Sequence, residues 1–283
     1  MEIYLQIAVG GLLLGALYAL MACGLNLIFG VMRVINVAHG EFLMLGAFSA
    51  FFFFSLLDLN PILSLFIVVP FAFLLGYTLQ RMLVERLVGG PELSSLLATY
   101  GLSILIMNLG LALFTSNFRS VPVFQGSFLI GDIAFSKPRL IAAGVSIFIT
   151  FSVYLFLEKT KRGKAIRAVS QHPQIAEICG IDVTKIRMLT FGIALAMAAS
   201  AGVLISMIFS FSPEVGADFI LKSFAIIIIG GMGSFIGAFL GGLILGLGES
   251  FTAFFLSGQW AQGVAYLLLV LVLLMKPSGL KGR

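Results

Sequence analysis

GLLLGALYALMACGLNLIF, residues 11–29, runs for 19 positions without a charged side chain. A helix at the surface of a soluble protein keeps a polar stripe, and a membrane-spanning strand alternates apolar and polar residues over about 10 positions. This stretch is apolar on every face. At ~1.5 Å per residue it comes close to the ~30 Å thickness of a hydrocarbon core. The remainder of the chain agrees with that reading: 60% of its 283 residues are hydrophobic and 10% are charged. No soluble core needs that much apolar surface, so the composition predicts an all-α, polytopic transmembrane bundle.

Long apolar segments predict spans at roughly 5–29, 38–57, 61–80, 94–115, 139–157, 188–211 and 235–256, with a shorter one near 260–275. The segment 219–231 is ambiguous: a crossing, a broken helix or a re-entrant element extending to about residue 233 all fit FAIIIIGG and the glycines beyond it. The expected number of crossings is therefore about eight to nine, in a single domain covering residues 1–283. MEIYLQIAVGG lacks a basic leader region, so the first span is read as retained. Residues 158–187 hold seven Lys or Arg against three acids, which places this loop in the cytoplasm. Counting spans from it puts Arg33, Arg81 and Arg86 on the same side, with the tail of Lys276, Lys281 and Arg283, and puts the N-terminus and Asp58 outside. Small residues four apart, Gly11/Gly15/Ala19, Gly233/Gly237/Gly241 and Ala238/Gly242/Gly246, predict close helix packing.

Several chemistries lack their residues. No phosphate-binding G-x-x-x-x-G-K-[ST] loop occurs, and with only two histidines and two cysteines there is neither a metal-ligand spacing nor a His-based triad. No catalytic residue, metal or cofactor is expected. Ionisable groups within spans are few: Glu41, Glu249 and Lys222. A carrier driven by its own coupling ion needs more, so an outside energy source is expected. Lys222 and Glu249 either pair near the outer face or each reach separately to water.

The loop has pattern of its own. Pro173 suits the first turn of a helix, Gly180 suits its C-terminal cap, and apolar residues lie between them, predicting a short surface helix from Pro173 to Cys179. Together, GLNLIFGVMRVINVAHGEFLMLGA (24–47), LLATYGLSILIMN (96–108), GKAIRAVSQHPQIAEICGID (163–182) and GGMGSFIGAFLGG (230–242) carry a family likeness. The chain resembles the permease subunit of bacterial ATP-binding-cassette importers for branched-chain amino acids, the hydrophobic amino acid uptake family, with relatives that serve urea and short amides. The resemblance implies a multi-pass protein of the bacterial inner membrane that forms half a channel. Its implied partners are a homologous second permease, two cytoplasmic ATP-binding subunits and a periplasmic substrate-binding protein, with membrane lipid around it and no nucleic acid. It implies that ATPase coupling falls to Gly163, Arg167, Ala168, Ala176, Gly180 and Ile181. Two departures from the family pattern bear on substrate choice and ATPase contacts: Tyr100 stands where a small or aliphatic residue is more common, and Ser170, Gln171 and His172 stand where acids are common. The competing functional class is a secondary carrier or channel working alone.

The polar cluster of Arg33, Asn36, His39 and Glu41 lies between two apolar runs. One reading is structural: Asn36 as N-cap of the second span and Glu41 as an acid favoured by the helix dipole. The other makes Asn36, His39 and Glu41 the inner end of a translocation path or gate, together with Thr99, Asn108 and Glu249. Three to five residues past such a cap is only about 5 to 8 Å of rise, which predicts a site too shallow for mid-membrane.

Overall fold

The computed structural model describes residues 2–130 and 133–275, so the basic tail of Lys276, Lys281 and Arg283 lies outside the described residues. The helices, in chain order, are α1 (Glu2–Met32), α2 (His39–Leu57), α3 (Pro61–Met82), α4 (Glu92–Phe114), α5 (Lys137–Lys159), α6 (Lys161–Gln171), α7 (Pro173–Ile178), α8 (Val183–Ile205), α9 (Val215–Gly230), α10 (Phe235–Phe255) and α11 (Gly258–Met275). A hairpin of β1 (Ser127–Ile130) and β2 (Ile133–Ser136) precedes α5. Seven of the described helices are long and apolar enough to cross a membrane.

α1 and α8 form the centre, with 83% and 89% of their most apolar stretches buried. α3, α4 and α5 surround them and keep large apolar side chains such as Phe66, Leu105 and Phe148 exposed. That is the expected partition for a bundle whose outer surface meets lipid or other apolar helices. The basic ends of α1, α3, α5 and α8 gather with α6 and α7, and Glu85, beyond α3, pairs with Arg187 of α8 at 3.1 Å. At the opposite end Gln6 of α1 donates to the carbonyl of Ala134 in the hairpin, so α1 spans the whole bundle. There, too, Arg119 and Phe211 exchange backbone hydrogen bonds, and the Arg119 guanidinium lies 4.8 Å from the Phe51 ring centre.

The glycine ladders are helix contacts. A Cβ at Gly15 would fall 2.8 Å from the carbonyl oxygen of Gly242, and one at Gly242 would fall 2.7 Å from Ala19, so α1 and α10 touch backbone to backbone. Gly241 faces Ile226 of α9 in the same way. Without a hydrophobic force between helices in lipid, this contact area is what holds α10 in place.

α8 begins at Val183, five residues before the apolar run suggests, and ends at Ile205 instead of 211. Asp182 decides its start: the carboxylate accepts the N–H of Lys185 at 3.0 Å, and hydrogen bonds from the Lys185 side chain and backbone hold the carboxyl below its usual range. Residues 206–211 instead turn back toward α9. The ambiguous segment is one continuous helix, α9, of 16 residues. It rises about 24 Å against the ~30 Å of a hydrocarbon core, and its first turn is half buried, with Val215 and Gly216 inside and Ala217 and Asp218 exposed. Irregular backbone follows it at 231–234, where Gly231 and Gly233 take φ of 98° and 83°. Asn26 satisfies this turn, accepting the Gly233 N–H at 2.6 Å and donating to the Ser234 carbonyl at 2.7 Å.

Candidate translocation path and coupling surface

The α1–α2 connector turns back into the bundle. Arg33 ends α1 in a left-handed conformation, φ 52°, and remains exposed, while Val34, Asn36 and Ala38 are buried. An extended backbone inside a membrane protein must find hydrogen-bond partners in its neighbours. α4 provides them from one stripe of hydroxyls four residues apart. The Ile35 N–H donates to Ser95 Oγ at 3.4 Å. Thr99 Oγ1 has the Ile35 carbonyl and the carbonyl of Ser95, one turn back, each at 2.8 Å as acceptors for its proton, and accepts the Val37 N–H at 3.2 Å. One turn further, Ser103 Oγ donates to Glu41 Oε1 at 3.0 Å.

This course corrects two expectations. Asn36 does not cap α2: Ala38 holds the N-cap position, no side chain caps the helix, and Asn36 contributes only a backbone carbonyl to the turn before it. Nor is the site shallow. His39 Nε2 lies 3.2 Å from the carbonyl of Met21, eleven residues from the basic end of α1, or about 16 Å of rise. The re-entry of residues 33–38 starts α2 near mid-bundle. Gly40 and Gly216 touch backbone to backbone there, and a Cβ on Gly216 would come within 2.8 Å of Glu41 Oε2. Glu41 therefore lies between the first turn of α2, the first turn of α9 and the hydroxyl stripe of α4.

Because a carbonyl only accepts, the His39–Met21 contact puts the imidazole proton on Nε2 and leaves Nδ1 as an acceptor. His39 Nδ1, Glu41 Oε2 and both side-chain polar atoms of Asn36 are buried without a hydrogen-bond partner among the described residues. A buried polar atom left without any partner costs about 1–3 kcal/mol, which water, a polar solute or a shift of the helices relieves.

The other expected path residues lie elsewhere. Thr99 joins the cluster as the clasp of the connector. Asn108 faces outward on α4, donating to its own Ile104 carbonyl at 2.8 Å and bordering a shallow groove with Gly101 and Leu105. Glu249 belongs to a separate cavity, where it pairs with Lys222 at 2.8 Å. Ser95 and Ser103 were not anticipated; hydroxyls at 95, 99 and 103 in an otherwise apolar helix are the signal that could have found them.

At the basic end, residues 160–181 form two helices. α6 was not foreseen in the loop; Thr160 caps it, accepting the Gly163 N–H at 2.9 Å. Gly163 is buried where a Cβ would overlap the carbonyls of Phe156 and Leu157, so the α5–α6 turn requires glycine. Arg167 pairs with Glu158 of α5. Ala168 is half-buried and Ala176 buried. Gly180, φ 82°, donates to the Glu177 carbonyl and Ile181 donates to that of Ala176, which together close α7. Most of the expected coupling residues thus build the module from within, whereas Ile175 and Ile178, 57% and 85% exposed, form its outward face. Gly180→Ala is expected to cost about 1 kcal/mol locally, since only glycine takes this φ freely. Limited proteolysis should then cut residues 172–181 faster, while thermal unfolding of the bundle stays unchanged.

The model of the branched-chain amino acid transport system permease component family matches residues 7–273. The chain belongs to that family. The permease is 35% identical to the high-affinity branched-chain amino acid transport system permease protein BraD of Pseudomonas aeruginosa, over 99% of this chain and 96% of that protein. It is 31% identical to LivH of Escherichia coli over the same shares. A shorter match, 29% identity over 49% of the permease and 45% of the relative, links it to LivM of Methanocaldococcus jannaschii. In fold it is similar to PsaBC from Streptococcus pneumoniae solved with a Fab, with a TM-score of 0.51 and 12% identity, covering 95% of the permease and 91% of that chain. It is a multi-pass membrane protein of a transport permease family.

Proposed function

We propose that this chain is the permease subunit of an ATP-binding-cassette importer that carries branched-chain amino acids across the bacterial inner membrane. It pairs with a homologous second permease, receives substrate from a periplasmic binding protein and is driven by two cytoplasmic ATPase subunits. The observation that carries this reading is the α6–α7 module: a closed pair of short helices at the basic end that presents Ile175 and Ile178 to solvent. Exposed apolar side chains one turn apart, on a helix held by a glycine cap and a buried alanine, suit a knob for a groove on a soluble partner. Asn36 of the connector, His39 and Glu41 of α2 and Thr99 serve as a gate near mid-bundle, and residues 158–187 as the coupling segment.

Co-expression of the permease with its cognate ATPase and second permease, followed by affinity purification, tests this. Ile178→Asp should weaken ATPase recovery by about tenfold, the loss of one well-packed apolar anchor, while permease abundance is unchanged. ATPase recovery at the wild-type level would remove the coupling role from this module. Leucine uptake without any ATPase would return the protein to the class of self-sufficient carriers.

A further inference from the structure

A cavity of about 830 Å³ opens among the far ends of α1, α9, α10 and α11, away from the connector. Its volume is in the range of small-molecule sites, roughly 300–1,000 Å³. Four charged side chains line it: Lys222 and Arg139 against Glu249 and Asp218. Lys222 Nζ lies 2.8 Å from Glu249 Oε1 and 3.1 Å from Oε2. Tyr18 donates its hydroxyl to Glu249 Oε2 at 2.8 Å and accepts from Lys222 at 3.2 Å. Lys222 also lies 4.7 Å from the Tyr18 ring centre. Tyr18 and Glu249 are buried, and all three groups sit on helices that pack through the glycine ladders. The remaining wall is largely apolar and includes Ile7, Leu14 and Phe254.

An ion pair within a membrane bundle is expensive to keep, and packing alone does not require it, since an apolar pair of similar size would fill the space at less cost. The lining charges cancel, so the cavity favours neither a net anion nor a net cation. A zwitterion is different. Its carboxylate can take Lys222 from Glu249 while its ammonium takes Glu249, replacing one ion pair by two and stranding no charge. Arg139 and Asp218 extend the same choice toward the mouth, and the apolar wall accepts an aliphatic side chain.

We infer that this cavity is a binding site for an α-amino acid zwitterion with an apolar side chain, engaged within one subunit by exchange of the Lys222–Glu249 pair. This rests on the proposed function for its substrate class and adds a site apart from the connector. Phosphatidylethanolamine also carries an ammonium and an anion, so the lipid composition separates the two sources.

The test uses the full-length permease in nanodiscs of phosphatidylcholine and phosphatidylglycerol, probed with radiolabelled leucine up to about 10 mM. Saturable binding is expected, displaced by unlabelled leucine but not by isopentylamine or isocaproate, which each lack one charge. Lys222→Gln and Glu249→Gln should each weaken binding at least about tenfold, with Tyr18→Phe smaller, and thermal unfolding confirms that each variant is folded. If a single variant does not fold, Lys222→Met with Glu249→Met, which removes both charges together, takes its place and should weaken binding by the same factor. No saturable leucine binding, equal competition by the single-charge analogues, binding unchanged by the substitutions, or leucine displaced by phosphatidylethanolamine nanodiscs alone would overturn the site. A reconstituted importer that moves leucine normally with both Gln variants would reject the cavity and leave the proposed function standing, whereas one that moves no branched-chain amino acid even as wild type would reject the function.

Discussion

Glu41→Gln should leave the permease at normal abundance in the membrane and reduce substrate uptake by about tenfold or more. The amide keeps the shape of the carboxylate, can still accept the Ser103 hydroxyl hydrogen bond on its oxygen, and fits the space that Gly216 leaves beside it. The structural cost should therefore stay below about 1 kcal/mol. What changes is the charge at the meeting point of α2, α4 and α9. In its ionised form a carboxyl facing the first turn of α9 is favoured by the N-terminal partial charge of that helix, and a step that parts the two helices then works against the attraction, a dependence on charge that the amide removes. If the arrangement is one state of a gate, its removal shifts the equilibrium by about 1–3 kcal/mol, or 5- to 150-fold. The ATPase cycle reads the same equilibrium, so basal ATP hydrolysis by the assembled importer should change as well. Uptake and hydrolysis both at wild-type rates would leave Glu41 with a purely structural role.

Thr99→Val should instead remove the protein from the membrane. Valine matches threonine in size, so packing of α4 is kept, but the Ile35 carbonyl and Val37 N–H, on half-buried residues of the connector, lose their shared partner. At about 1–3 kcal/mol for each stranded group the loss is about 2–6 kcal/mol, a large part of a typical stability of about 5–15 kcal/mol. Thr99→Ser keeps the hydroxyl and should behave nearly as wild type. Abundance and thermal unfolding of the pair decide the matter: a valine variant as stable as the serine one would show that the connector does not depend on this clasp.

The helices were legible in the sequence because lipid imposes length and hydropathy on them, and α2, α3 and α10 begin within a few residues of the apolar runs that foretold them. The Lys222–Glu249 pair was legible as one of two alternatives, since so few charges in the spans leave few partners. α8 was displaced because a carboxylate cap at Asp182 outweighs the hydropathy profile, which registers no cap at all. α6 was missed because its long basic side chains hide a buried seam of Ile166 and Val169. The depth of the connector was out of reach for a different reason: its clasp, Thr99, lies 64 residues from Ile35, and nothing local tells an extended segment held inside the bundle from a loop at the surface.

The same long-range pairing bears on how the chain is made. α1 leaves the ribosome before the groups that complete it: Ser95 and Thr99 for its connector, then Gly233 and Ser234 for Asn26, and Glu249 for Tyr18. At about 5–20 residues per second, about 11 to 45 seconds of synthesis separate Met32 from the end of α10. Until α9 and the turn after it are made, Asn26 and Tyr18 lack these partners, and until α10 is made the Gly11–Gly15 face of α1 has no α10 against it. α1 therefore remains provisional until α10 has entered, and a chain arrested before α10 would present the insertion machinery and quality-control proteases with an exposed polar seam in the helix meant to be the centre of the bundle.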